Sequence, residues 1–206
     1  MHIRKKTGKG FLDSLQERNS VKTIGIVAGS RGDGVTTLSI AMANYLAEIM
    51  SMKTAILECN EAKALEMMRD TLVDEVDYEE IFIIGKVTYF FNVDINSFMA
   101  KDINDYEYVI IDFGSCFRNY QINQSKLKYK IVLGSVMPYK SGYHKRILEM
   151  TGNSGLGGEC LHLLFGDEKS VKEYSAVNKI NGMPAPVIVN PYIIDNKLTN
   201  FFQILF

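Results

Sequence analysis

Residues 29–37 read Gly-Ser-Arg-Gly-Asp-Gly-Val-Thr-Thr. Glycines at 29, 32 and 34 let backbone N–H groups converge on an anion, and a helix beginning at Thr36 adds the positive end of its dipole. The chemistry implied is phosphate binding. In the template G-x-x-x-x-G-K-[ST] the lysine reaches the β- and γ-phosphates and the hydroxyl holds magnesium. Here Gly29 is followed by four residues, Gly34, then Val35 in the lysine's place, then Thr36. Thr36 keeps the hydroxyl, whereas Val35 can neutralise nothing. Backbone amides, the helix end and a metal remain to hold a nucleotide. ATP with Mg2+ is therefore expected to bind weakly. Hydrolysis is expected to be very weak or absent, because electrostatic preorganisation is usually the largest catalytic contribution.

Two carboxylates belong to the same reading. Tyr108-Val-Ile-Ile-Asp112 is an apolar run ending in aspartate and followed by Phe113-Gly114, a strand of Walker B type whose aspartate supports magnesium through water. Thr54-Ala-Ile-Leu-Glu58 ends in a carboxylate that can organise metal-bound water, and an ordinary strand-end charge explains it equally well. The metal candidates are thus Thr36, Asp112 and Glu58, and the catalytic candidates are Asp112 and Glu58. The nucleotide-binding set is Gly29, Ser30, Arg31, Gly32, Asp33, Gly34, Val35, Thr36 and Thr37. Arg31 is the one cation inside the loop, and an arginine at a turn more often faces solvent.

The elements that must position these groups follow from periodicity. Thr23–Ala28 is a short apolar strand leading into the loop. After it, Leu38, Met42, Tyr45, Leu46 and Ile49 share one face of a helix lying on a sheet. Further strands are expected at 54–58, 87–92, 108–112, 130–136, 161–165 and 186–190, with helices near 94–103, 141–150 and 168–178. The acidic stretch 61–85, with Asp70, Asp74, Glu75, Asp77, Glu79 and Glu80, reads as a solvated helical excursion. A second glycine cluster, 152–158, precedes a strand instead of following one, so it reads as a linking loop. Leu198, Phe201, Phe202, Leu205 and Phe206 form a helical apolar stripe. It either docks a second copy, a partner or a membrane, or packs back on its own sheet.

Alternating β and α elements with a glycine loop after the first strand predict an α/β fold of three layers, a mostly parallel sheet flanked by helices. Residues 21–206 are expected to form one such domain, and 1–20 a basic arm or short helix. At 206 residues the chain is long enough to bury a sizeable core. A net charge of −1 argues against bulk attraction to nucleic acid. No apolar run approaches the roughly 20 residues of a spanning helix, and the basic start lacks the apolar core of a secretory signal. Cys59, Cys116 and Cys160 are few and widely spaced, which suits reduced thiols in the cytoplasm. The histidines are equally scattered and show no metal-site spacing.

The segments Ala28–Thr37, Ala55–Asn60 and Tyr108–Asp112 together resemble the ParA/MinD group of P-loop NTPases with a deviant Walker A loop, and look closest to members with degraded loops such as TadZ/CpaE-like pilus-localisation proteins. The resemblance places one of the group's lysines at Ser30, where it would reach across a dimer, and a second at Val35. Thr36 and Thr37 match the group's hydroxyl residues, and Glu58 and Asp112 its acidic positions. The group usually carries asparagine after the strand that here ends at Phe165-Gly-Asp167. The implied function is a weakly hydrolysing or non-hydrolysing nucleotide-binding scaffold. It would position partners of a membrane-associated assembly of pilus, secretion or conjugation type, from the cytoplasm or the inner face of the membrane. Two alternatives stay open: an ATPase in which Arg31 or a partner replaces the lysine, and an interaction module that binds no nucleotide. The expected partners are proteins, a second copy of the chain among them, with only peripheral membrane contact and no nucleic acid.

Overall fold

The computed structural model describes residues 21–72, 80–155 and 160–206. The basic arm, Asp74 to Glu79 of the acidic stretch, and part of the second glycine cluster lie outside them. Among the described residues, eight strands form one sheet in the order β3-β4-β2-β5-β1-β6-β7-β8. They are β1 (Lys22–Ala28), β2 (Thr54–Glu58), β3 (Ile81–Ile84), β4 (Val87–Phe90), β5 (Tyr108–Asp112), β6 (Tyr129–Ser135), β7 (Cys160–Phe165) and β8 (Asn181–Pro184). All pairings are parallel except β3 with β4. The helices are α1 (Val35–Asn44), α2 (Ala64–Leu72), α3 (Ile95–Lys101), α4 (Phe117–Asn123), α5 (Pro138–Gly155), α6 (Glu168–Asn178) and α7 (Asn196–Leu205).

The central strands are apolar on both faces because helices cover both. Ile24, Ile26, Ile56 and Ile110 point into a core shared with α1 and α7. Val27, Leu57, Val109 and Ile111 point into another, built with α3, α4 and Ile147 of α5. Gly25 lies on the second face, where a Cβ would come within 2.3 Å of the Leu127 side chain. The strand carries glycine where the chain entering β6 crosses it.

Several expectations change. The stretch 61–85 is not one helix. It holds α2 and then β3, which returns through a two-residue turn at Gly85-Lys86 to pair with β4. Gly85 has φ +60°, the conformation such a hairpin turn requires at its first position. Phe82 faces inward and stacks on Tyr89 at 4.9 Å. Ile49 is 52 % exposed although it continues the stripe of α1. Residues Tyr45–Ile49 widen into a π-turn, closed by Met50 N–H donating to the Tyr45 carbonyl, which rotates Ile49 out of the core face. Helix α5 begins at Pro138, a favoured first helical position, and runs through Gly152 to Gly155, which the sequence assigns to a loop.

The last strand is 181–184, not 186–190: Asn181 to Pro184 pair with Leu161 to Leu164, after which the chain leaves the sheet and Val189 is 93 % exposed. Helix α4 has no counterpart in the sequence reading. The terminal stripe packs on its own sheet. Phe202 and Leu205 are fully buried, and Tyr45 lies 5.0 Å from Phe202 and 6.1 Å from Phe206.

Candidate functional site

Parallel strands bring their C-terminal ends to one edge, and β5-β1-β6 is where connections diverge to the two sides of the sheet. Ligands of doubly wound sheets lie at this point. Ile26 of β1 pairs with Asp112 of β5, and Asp112 pairs with Glu58 of β2. The glycine loop and both carboxylates therefore meet at one edge, as their spacing predicts.

The loop leaves β1 at Gly29 and turns through Gly32 (φ +81°) and Gly34 (φ +83°). Only glycine takes these angles without strain. A Cβ at either position would meet nothing within 4 Å, so the space above the loop is open. Gly34 is the N-cap of α1 and no side chain caps that helix. The caps of α3, α6 and α7, by contrast, are Asp94, Asp167 and Asp195. The uncapped end of α1 opens on a cleft of about 590 Å³ lined by residues 30–37, 60–62 and 114–116.

Thr36, in the first turn of α1, donates its hydroxyl to Asp112 Oδ2 at 2.6 Å. Asp112 is fully buried; its Oδ1 accepts from Gly114 N–H at 2.7 Å and from Asn60 Nδ2 at 3.1 Å. Burial pushes the carboxyl upward, and the bonds from Thr36, Gly114 and Asn60 oppose that shift. The arrangement fits magnesium at the Thr36 hydroxyl, with Asp112 behind it acting through Thr36 rather than as an exposed ligand. Val35 is buried in the core and also lines the cleft.

The structure gives Glu58 a different task. Its Oε1 accepts from Ala64 N–H at 2.8 Å and its Oε2 from Leu65 N–H at 3.3 Å, so the carboxylate caps α2. Burial raises its pKa, opposed chiefly by the bond from Ala64. Arg31 lies exposed on the loop. Asp167, where the group's asparagine is expected, caps α6 through Ser170. Among the described residues, no cluster of three His, Cys, Asp or Glu side chains forms a further metal site, and no helix is long and apolar enough to cross a membrane.

Sequence reasoning missed two contributors, and a buried pair beyond the cleft. Asn60, two residues after Glu58, also bonds the Asp112 carbonyl at 3.1 Å and so ties the ends of β2 and β5 together. Lys140 of α5 reaches the loop at Asp33. A buried pair, His144 of α5 and His162 of β7, lies deeper: His144 Nε2 and His162 Nδ1 are 2.9 Å apart, and His144 Nδ1 is 3.1 Å from the Tyr174 hydroxyl. Proximity to Asp112 through a strand end marks Asn60. For Lys140 no local pattern exists, because it reaches the loop by tertiary packing alone; the histidines, which do not line the cleft, also meet only by packing.

No protein-family model matches the chain, and no curated sequence matches it significantly. Its architecture does match solved structures. A plasmid partition protein from Borrelia burgdorferi bound to AMPPNP superposes with TM-score 0.61 over 91 % of this chain and 97 % of its own, at 13 % identity. The chain has the ParA/MinD-type fold. The septum site-determining protein MinD of Pyrococcus horikoshii, complexed with Mg-ADP, matches at TM-score 0.58 and 15 % identity, over 90 % and 94 % of the two chains. A chain of the MinC:MinD cell division protein complex of Aquifex aeolicus matches at 0.63 and 14 %, over 89 % and 93 %. Within the ParA/MinD-type fold the glycine loop follows the first strand and the aspartate ends its neighbour β5.

Proposed function

We propose that this protein is a nucleotide-binding scaffold that holds ATP with magnesium weakly, turns it over little or not at all, and positions protein partners of a membrane-associated assembly from the cytoplasmic side. The observation that carries the reading is the Thr36–Asp112 hydrogen bond beside an open glycine loop, with Val35 and Ser30 where the resemblance expects lysines. The hydroxyl–carboxylate pair and the uncapped α1 end provide for metal and phosphate, and nothing at residues 30 or 35 provides the charge for transfer. Bound magnesium would neutralise phosphate charge. The chain's own residues would orient: the loop and the end of α1 face the phosphates, and Asp112 holds the Thr36 hydroxyl in place. Glu58 enters by seating α2 beside Asn60, not as a ligand. Solved proteins of this fold bound to AMPPNP and Mg-ADP support the ligand class, and the MinC:MinD complex supports a protein partner. Arg31, exposed on the loop and lining the cleft, is the cation that the ATPase alternative would use.

The test is a calorimetric titration of the protein with ATP and magnesium, alongside a steady-state turnover assay. Weak, magnesium-dependent binding with turnover at background is expected. A lost lysine contact of about 1.5–3 kcal/mol weakens affinity roughly ten- to a hundredfold. Sub-micromolar binding, absence of binding at millimolar nucleotide, or turnover near one per second abolished by Asp112→Ala would each overturn it.

A further inference from the structure

The loop carries an anion of its own. Asp33 lies between the two left-handed glycines, one residue before the N-cap of α1, and lines the cleft, yet its side chain is only 4 % exposed. A buried carboxylate must be paired. Ser30 donates its hydroxyl to Asp33 Oδ2 at 2.9 Å, and the Lys140 ammonium donates to Asp33 Oδ1, also at 2.9 Å. Both donors stand at the loop itself: one is the loop's second residue, and the other comes from α5, 107 residues away.

The placement of Lys140 is built, not incidental. A Cβ on Gly29 would come within 2.7 Å of the Tyr143 carbonyl oxygen, so the backbone of α5 rests directly on the start of the loop. A Cβ on Gly134 of β6 would come within 2.4 Å of the His144 ring, which is itself buried. Two glycines thus seat consecutive residues of α5, and Lys140 lies one helical turn before them on the same face. Its side chain is 39 % exposed, so the ammonium keeps room to swing while its Cα is fixed.

We propose that Lys140 is the cation of this nucleotide site, supplied from α5 in place of a loop lysine, and that Asp33 holds it, with Ser30, as an internal substitute for phosphate. The proposal rests on the nucleotide reading above and assigns its regulation. A polyphosphate entering the loop competes with Asp33 for Lys140, and Asp33 repels it. Weak binding then has three sources: the missing lysine at 35, an occupied one at 140 and the charge of Asp33. Release of Lys140 by any event that neutralises or displaces Asp33 converts a closed loop into a charged one.

The experiment is a set of titrations of Mg-ATP against wild type, Asp33→Asn, Lys140→Met and the double variant in one low-salt buffer, each checked for folding by circular dichroism. Asp33→Asn keeps the size of the side chain and an acceptor for Ser30 while releasing the ammonium. It is expected to bind at least tenfold more tightly than wild type, Lys140→Met more weakly than wild type, and the double variant to keep only the smaller part of the gain that comes from lifting the Asp33 repulsion. Equal affinities of Asp33→Asn and wild type, or a gain that survives undiminished in the double variant, would overturn the role of Lys140. Measurable wild-type binding in those cases leaves the nucleotide reading standing. Absence of binding by all four folded proteins at millimolar nucleotide would remove both.

Discussion

Thr36 donates its hydroxyl to Asp112 across 2.6 Å, joining the first turn of α1 to the end of β5 over 76 residues of sequence. The bond has two consequences. It places Thr36, which lines the cleft, in front of the buried carboxylate, and it satisfies a carboxylate that has no cationic partner among the described residues. A buried carboxylate in that position is tolerated because three donors surround it: Thr36, Gly114 N–H and Asn60 Nδ2.

Removing that acceptor should cost stability as well as binding. Asp112→Ala leaves three part-buried donors, Thr36, Gly114 N–H and Asn60, without their acceptor beside the cleft, where water replaces part of each lost bond, so each costs about 0.5–1.5 kcal/mol net. Urea unfolding should show a loss of at least that size, with a smaller one for Asp112→Asn, which keeps one acceptor oxygen. A wild-type midpoint in Asp112→Ala would mean the donors find other partners and that the pair is not a structural unit.

Val35→Lys restores a cation beside the phosphates on an unchanged backbone. Val35 is mostly buried but borders the cleft, so a lysine there can pack its stem where valine packs and send its ammonium outward. The expected gain in Mg-ATP affinity is roughly ten- to a hundredfold, the range of a charged hydrogen bond. Calorimetry of the two proteins in one buffer measures it. An unchanged dissociation constant in a folded variant would mean the loop is not shaped around phosphates.

The histidine pair should make the fold acid-sensitive well above the carboxylate range. Burial lowers both imidazoles, His144 to about 4 from an ordinary value near 6.5 with the Asp33 charge opposing the shift, and His162 further through the neighbouring His144. Two tautomer sets satisfy the contacts: His144 Nδ1–H donates to the Tyr174 oxygen and His162 Nδ1–H to His144 Nε2, or Tyr174 O–H donates to His144 Nδ1 and His144 Nε2–H to His162 Nδ1. In either set His162 Nε2 finds no partner among the described residues. The unfolded chain protonates near 6.5 and the folded one only far below, so stability is full above 6.5 and is lost as pH falls toward 4. Asp112 and Glu58, whose carboxyls burial raises, act with the opposite sign and favour the fold as pH falls. Urea midpoints at pH 7.5 and 5 should therefore fall, and fall less in His162→Gln; a midpoint that rises on acidification would show that the carboxylates outweigh the histidines.

What the sequence made legible is the set of groups tied to a local pattern. The loop, Thr36 and the strand ending at Asp112 are visible because glycine spacing and apolar runs are short-range features. Glu58 was legible as a carboxylate at a strand end but not as a cap, since its acceptors' partners, the N–H groups of Ala64 and Leu65, depend on where α2 begins. Asp33 was visible only as a loop residue. Its partner Lys140 could not be inferred, because the contact requires α5 to settle on Gly29. The β3–β4 hairpin was masked by its acidic surroundings, although Gly85-Lys86 between two β-branched runs is a turn signal. The displaced last strand reflects composition: Val187 and Val189 suit a strand, yet the register with β7 is used up by Pro184.

The terminal helix is the clearest case of a stripe whose meaning lay in packing. Phe202 and Leu205 are fully buried, and Phe206 meets Tyr108 edge-to-face at 5.6 Å, so α7 closes the core over β5 and the π-turn of Tyr45. Phe202→Ala should cost about 3–5 kcal/mol, the usual range for deleting a buried phenyl ring. Removal of residues 198–206 would uncover Tyr45 and Tyr108 together, and no helix of the described residues stands ready to replace α7. The truncated protein should aggregate or unfold below the wild-type melting temperature, which differential scanning calorimetry and light scattering would report. If it instead stayed folded and monodisperse, with Phe202→Ala as stable as wild type, the stripe would be free to serve another surface, and the packing of Tyr45 against Phe202 would contribute nothing to the fold.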